Sequence, residues 1–435
     1  MIIWSELNSA DQQAALGRPA VTNSATLRET VGNIIAQVRQ QGDEAVLSLT
    51  QKFDCADLSS LILDQQTLTR LADAVTDEVK AAIDTAYDNI VAFHEAQRPD
   101  DITLTTSPGV VCEQRFTALD AVGLYIPGGS APLPSTALML GVPAKVAGCA
   151  RKVLCTPPNA QGEIAPEIAY AARKSGITEV YLCGGAQAIA AMAFGTESIV
   201  KVDKIFGPGN SFVTEAKQQV SLSPEGAAID MPAGPSEVLV LADGTADPAF
   251  VASDLLSQAE HGPDSQAILV SPSEALITKT KSEVEQQLAK LSRTAIAREA
   301  MKNARYILTE SRQQAIEVSN QYAPEHLIVQ LDAPREAMAH IKYAGSVFLG
   351  PWTPESAGDY ASGTNHVLPT YGYARNYSSL GLLDFMRRYT VQEVSGEGMR
   401  NLGPTIITLA NAEGLDAHSE AVALRLAALK DNDNE

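Results

Sequence analysis

Along the middle of this 435-residue chain, short β-branched runs end in glycine-rich turns and lead into alanine-rich stretches of helical character. That alternation constrains the fold more than any other feature. Strands that alternate with helices build βαβ units and a mostly parallel sheet. Residues 121–129 read as strand and turn, followed by a small-residue apolar stretch. Residues 152–158 read as a strand before a helix over 163–175, and 179–185 as a strand before a helix over 186–194. After a glycine-rich interruption the pattern resumes. Strands are expected at 236–242, 267–270, 306–309, 327–330 and 346–349, with helices at 248–258, 274–291, 294–303, 312–320 and 334–342.

The expected architecture is therefore α/β, with two Rossmann-like domains built on parallel sheets. A helical N-terminal segment precedes them, with apolar residues at helical spacing over 26–40 and 78–97, and a helical tail closes the chain. Residues 1–125 with 235–375 form the larger expected domain, 126–234 the second, and 376–435 a helical tail. The stretch 352–377, rich in Gly, Pro, Ser, Tyr and Asn, reads as a long irregular loop, and such loops are often functional.

The formal charge is -20, from 32 Lys+Arg against 52 Asp+Glu. That balance argues against nucleic acid or an anionic membrane as partner, since both need a basic face. An anionic cofactor stays open, because helix N-termini bind phosphate through backbone N–H groups. No apolar run approaches the roughly 20 residues of a membrane span. The N-terminus lacks the basic start and apolar core of a signal peptide. The five cysteines Cys55, Cys112, Cys149, Cys155 and Cys183 are scattered, with no CxxC pair, so a reducing compartment and a cytoplasmic location are expected. None of the five carries a local nucleophile signature, and all are read as structural.

Histidine is scarce: His94, His261, His326, His340, His366 and His418. His94 and His340 lie among charged neighbours on helices and read as surface residues. Gln258 and His261 stand three apart, on one helix face, and Gly262-Pro263 stops that helix. Alone, His261 is explained by the favourable interaction of a cation with a helix C-terminus. Glu325-His326 follows Pro324 and precedes a buried strand, so in a turn both could aim at one pocket and move protons. An ordinary loop pair is the plainer reading. Asp359 and His366 share the irregular stretch, and Glu413 and His418 lie near the C-terminus, where a surface helix start would account for them. Together these residues suit zinc, although Gln is a poor zinc ligand. The GxGxxG fingerprint is missing: Gly207-Pro-Gly209-Asn210-Ser-Phe212 has Phe where the third glycine belongs.

Several long strings carry a resemblance. They are Gly123-Leu-Tyr-Ile-Pro-Gly-Gly-Ser-Ala-Pro-Leu, Phe206-Gly-Pro-Gly-Asn and Asp230-Met-Pro-Ala-Gly-Pro-Ser-Glu. They continue with Leu256-Ser-Gln-Ala-Glu-His-Gly-Pro-Asp-Ser, Pro324-Glu-His and Ser356-Ala-Gly-Asp-Tyr-Ala-Ser-Gly-Thr-Asn-His-Val-Leu-Pro-Thr. In this order they resemble the signature stretches of the histidinol dehydrogenase family, from about residue 20 to near the C-terminus. The resemblance implies oxidation of L-histidinol through L-histidinal to L-histidine, the last step of histidine biosynthesis, with two NAD reduced. It implies zinc held by Gln258, His261, Asp359 and His418, the last supplied by the partner subunit of a homodimer. It implies substrate contacts from Ser236, Gln258, His261, His326, Asp359, His366, Glu413 and His418, and NAD contacts from Tyr125, Gln187 and Asn210. Glu325 and His326 would carry protons. The competing readings are an NAD-dependent dehydrogenase for another amino alcohol or polyol, a zinc hydrolase or lyase without NAD, and a non-catalytic metal-binding protein.

Overall fold

Glu237–Ala242 and Ala121–Tyr125 are buried along their whole length, one as Glu-Val-Leu-Val-Leu-Ala and the other as Ala-Val-Gly-Leu-Tyr. Strands covered on both faces in this way belong to parallel sheets, and each lies inside one. The computed structural model describes residues 1–18, 25–54, 57–128, 132–232 and 234–432. The chain forms two units, Met1–Gln97 with Leu119–Phe385, and Arg98–Ala118 with Met386–Glu435.

The first unit contains both parallel sheets. One has six strands in the order Ile2–Ile3, Arg305–Leu308, Gln266–Ser271, Glu237–Ala242, His326–Gln330 and Ser346–Leu349. In its register His326 stands opposite Val238 on one side and Ser346 on the other. The other has five strands in the order Glu179–Leu182, Arg151–Thr156, Ala121–Tyr125, Lys204–Phe206 and Ala228–Ile229. The parallel-sheet α/β architecture expected from the sequence is the one observed.

The N-terminal helices depart in part from their expected grouping. Val31, Ile34, Ile35 and Val38 of the helix Ala25–Gln41 share a core with Val153, Cys155 and Ile189. This helix therefore covers the five-stranded sheet, whereas Ala15, at the end of the helix Ser9–Ala15, packs against the core of the six-stranded one. Ala121–Tyr125 also belongs to the five-stranded sheet, so the boundary expected after residue 125 falls behind this strand instead of ahead of it. His94, expected at the surface, is fully buried. It lies on the inner face of the helix Asp77–Glu95 with Ile83, Ala86 and Ile90, one turn after Ile90. His340 is exposed, as expected.

The second unit holds an antiparallel sheet in the order Met386–Val394, Val110–Ala118 and Ile102–Ser107, with the helices Gly396–Ala412 and Asp416–Asn432. The tail expected to be helical throughout thus begins with a nine-residue strand. Its residues are largely exposed and include Arg387, Arg388, Gln392 and Glu393, so it has little apolar alternation to announce it. Among the described residues no helix is long and apolar enough to cross a membrane.

Candidate active site

Tyr322-Ala-Pro-Glu-His326 turns the chain from the helix Arg312–Tyr322 into the strand His326–Gln330. Ala323 takes the left-handed conformation at φ 54°, which is unfavourable for a residue with a Cβ. The Arg18 guanidinium locks the bend by donating to the carbonyls of Tyr322 (2.8 Å) and Ala323 (3.3 Å). The same guanidinium grips the buried Glu237 carboxylate with two bonds, of 2.6 and 2.9 Å. The Tyr322 hydroxyl lies 2.8 Å from that carboxylate as well.

This clamp fixes residue 237 in the neighbouring strand, and residue 237 fixes the pair predicted to move protons. Its N–H donates to Glu325 Oε2 at 2.8 Å, and its carbonyl accepts from His326 Nδ1 at 3.2 Å. His326 is the first residue of its strand, not a turn residue as expected; Glu325 stands just ahead of it. With Nδ1 turned to the backbone, Nε2 faces Asp359 Oδ1 at 3.6 Å and has no hydrogen-bond partner among the described residues.

Asp359 comes from the helix Glu355–Tyr360, inside the stretch read as irregular. One ligand atom each from His261, Glu355 and Asp359 can be chosen so that all lie within 4.8 Å of one another. His261 sits just past the end of the helix Pro248–Ala259, which Asp247 caps and Pro248 opens. Gln258, on the last turn of that helix, is completely buried, and neither of its amide atoms has a hydrogen-bond partner among the described residues. His366 donates from Nδ1 to the main-chain oxygen of Asp359 at 2.9 Å, and its Nε2 lies 3.4 Å from Thr136 Oγ1. Beside it, Asn365 donates to the Met139 carbonyl at 2.7 Å and stands 3.5 Å from His94 Nε2. The misread His94 thus lies behind the site.

Three carboxylates, Glu325, Glu355 and Asp359, surround His326. Burial pushes the Glu355 carboxyl up to about 8. Burial opposes charge on Asp359 too, but the imidazole of His326 outweighs it and holds the carboxyl below its usual range. Burial works against a charged His326, yet Glu355, Glu325 and Asp359 together raise its pKa well above the ordinary value. His366 is lowered by burial. A buried cluster of like charges favours a cation among them. The unpaired Gln258 amide, His261 and Asp359 are donors that zinc accepts, so the residues present fit the expected ion.

The expected cofactor contacts meet in one cavity of about 620 Å³, lined by Tyr125, Gln187 and Asn210 with Asp54, Gly128 and Pro157. Tyr125 ends a strand, and its hydroxyl accepts from the Gly185 N–H at 3.0 Å. Asn210 caps the helix Ser211–Leu222 by accepting from the N–H groups of Phe212 and Val213. Gly207, at φ 124°, would place a Cβ 2.1 Å from the Tyr125 carbonyl. Only glycine lets these two strand ends meet at the cavity. The first glycine turn of the family strings runs into Gly129, Ser130 and Ala131, which lie outside the described residues.

Ser236 directly precedes the strand carrying Glu237. Glu413 and His418 belong to the second unit, where both are exposed. Among the described residues Cys149, Cys155 and Cys183 are buried and form no disulfide, and Cys112 is half-buried and likewise free. Burial pushes the Cys149 thiol up to about 11, the opposite of what a nucleophile needs. Cys55 lies outside the described residues.

Sequence reasoning missed Glu355, Arg18 and Glu237. Glu355 and Asp359 are four apart after a proline, a spacing that places two carboxylates on one helix face. That signal was available once the stretch was read as helix. Arg18 and Glu237 meet only in the folded chain.

The chain matches the family model described as histidinol dehydrogenase over residues 18–426. It is 57% identical to the histidinol dehydrogenase of Vibrio parahaemolyticus, over 99% of both chains. To that of Colwellia psychrerythraea it is 57% identical, over 98% of both. The crystal structure of histidinol dehydrogenase from Elizabethkingia anophelis superposes with a TM-score of 0.94 at 47% identity, covering 98% of this chain and 97% of that one.

Proposed function

Because this chain belongs to the histidinol dehydrogenase family, we propose that its buried Glu325–His326 pair and the adjoining Gln258, His261 and Asp359 form the working centre of a two-step alcohol oxidation. The reaction is oxidation of L-histidinol through L-histidinal to L-histidine by an NAD-dependent oxidoreductase. The observation that carries the assignment is the unpartnered Nε2 of His326, held by residue 237 and facing Asp359.

Gln258, His261 and Asp359 would hold zinc, with His418 of a second copy of the chain completing the set. NAD would lie in the cavity lined by Tyr125, Gln187 and Asn210. Bound there, zinc would orient the substrate's imidazole and amino nitrogens, and NAD would accept a hydride in each oxidation.

The protein's own residues do the remaining work. With Asp359 committed to zinc, one of the carboxylates that favour a charged ring would be neutralised, and the neutral His326 Nε2 takes the hydroxyl proton as the C–H bond of the alcohol breaks. Glu325 removes a proton from the water that adds to the aldehyde carbon, so a hydrate forms. The hydrate loses its second hydrogen as hydride, and His326 again receives the hydroxyl proton. Ser236 and His366, with Glu413 from the second copy, would bind the substrate's polar groups. This reading makes the enzyme a cytoplasmic homodimer with shared sites. The test is an assay of L-histidinol with NAD, before and after chelation. NADH should form in two equivalents per histidine and stop on chelation. No NADH from histidinol with the metal restored would sink the assignment.

A further inference from the structure

Lys217 and Asp230 form an ion pair whose side chains are only 6% and 1% exposed. Among the described residues that line the 620 Å³ cavity are Tyr125, Gln187 and Asn210, but neither member of this pair. Both charges are spent on one glycine. Asp230 Oδ2 accepts from the Gly207 N–H at 2.9 Å, and Lys217 Nζ donates to the Gly207 carbonyl at 2.8 Å. Asp230 Oδ1 meets the Lys217 ammonium and accepts from the Met231 N–H at 2.8 Å. An ion pair taken out of water adds little net stability over apolar packing, so this one is better explained by what it orients. Gly207 opens the turn that ends at Asn210, and Asn210 caps the helix Ser211–Leu222 at the cavity. Lys217 lies on that same helix, about two turns past Asn210. Asp230 follows the strand Ala228–Ile229, and its N–H donates to the Ile205 carbonyl at 3.1 Å. The pair thus ties the turn to the helix it introduces and to the last strand of the five-stranded sheet.

We propose that Lys217 and Asp230 are positioning residues for the cofactor, holding Asn210 and the start of its helix in place against NAD by fixing both polar groups of Gly207. The inference rests on the reading of the cavity as the NAD site and extends it to two residues outside the cavity wall. The turn needs such an anchor. Pro208 has no N–H to donate, and the glycines on either side of it add conformational freedom. Gly207 also packs so closely on the Tyr125 carbonyl that slackening the turn would disturb a second cavity residue.

The test measures NAD binding to the zinc-loaded protein by titration calorimetry, the KM values for NAD and for histidinol, and urea unfolding midpoints. The variants are Lys217→Met, the double change Lys217→Met with Asp230→Asn, and Gln187→Ala as comparator. Lys217→Met should raise the NAD dissociation constant and KM about tenfold, the equivalent of one charged hydrogen bond, while the histidinol KM moves less than twofold. It should also lower the unfolding midpoint, because it leaves Asp230 buried without a counter-charge. The double variant removes both charges and keeps an acceptor for the Gly207 N–H. It should regain most of the lost stability, yet bind NAD as weakly as Lys217→Met, since the Gly207 carbonyl still lacks its donor. If Lys217→Met does not fold, the double variant decides alone. NAD constants within twofold of wild type in the variants that fold, with Gln187→Ala impaired, would overturn this inference and leave the cavity reading standing. Recovery of NAD affinity together with stability would mark the pair as structural and overturn it too. Unchanged NAD affinity in Gln187→Ala would overturn the cavity reading and this inference with it.

Discussion

Residue 237 acts through its backbone and its side chain together. The backbone N–H and C=O hold Glu325 and His326, while the carboxylate anchors that backbone to Arg18. Removing Arg18 would leave a carboxylate buried without its counter-charge. Arg18→Ala should therefore cost about 3–5 kcal/mol of stability, read from urea unfolding midpoints. Adding Glu237→Gln to it should recover part of the loss, and no recovery would refute the clamp. At the pair itself, Glu325→Gln and His326→Asn should each lower turnover about 10²–10⁴-fold, the usual contribution of general acid–base catalysis. Bound zinc, measured by metal analysis, should stay stoichiometric. Full turnover in either variant would remove that residue from proton transfer. Glu325, His326, Gln258, His261 and Asp359 were legible because each sits in an unusual string. Glu237 was not, since a glutamate opening an apolar strand carries no local sign of a partner more than two hundred residues away.

Elements differ in how openly the sequence announces them. Strands buried on both faces, such as Gln266–Ser271, read as unbroken apolar runs. Ile2–Ile3 is too short for any periodicity, and Ile102–Ser107, as Ile-Thr-Leu-Thr-Thr-Ser, is mostly exposed. The helix Asp77–Glu95 was legible as a helix, but its last inward position was not, because His94 is flanked by Phe93 and Glu95. Burial lowers the His94 pKa below its ordinary 6.5, despite the bond from Nδ1 to the Ile90 carbonyl. The folded protein thus keeps this ring neutral where the unfolded chain takes up a proton. The contribution of this ring to stability should fall as pH drops below about 6.5, since at this site the unfolded state then binds the proton and the folded state does not. His94→Gln should flatten that slope between about pH 6.5 and 5, with His366 still contributing its share. An unchanged slope, measured by chemical denaturation across that range, would count against the buried neutral ring.

At the scale of the whole molecule, the shared-site reading makes a sharp forecast. His326→Asn and His418→Asn would each be inactive alone. Refolded together, they would form mixed dimers in which one site has both native residues, restoring about a quarter of wild-type activity under random pairing. No restoration would place both residues of a site in one chain. The second unit adds a constraint of another kind. Its sheet joins a hairpin from residues 102–118 to a strand from 386–394. On the ribosome the hairpin emerges first, then waits on the order of tens of seconds for its third strand at typical translation rates. During that interval one long strand of the hairpin, Val110–Ala118, exposes an open pairing edge. Slow translation or premature termination after residue 385 would prolong this vulnerable state, in which nascent chains can stick to one another before the protein is complete.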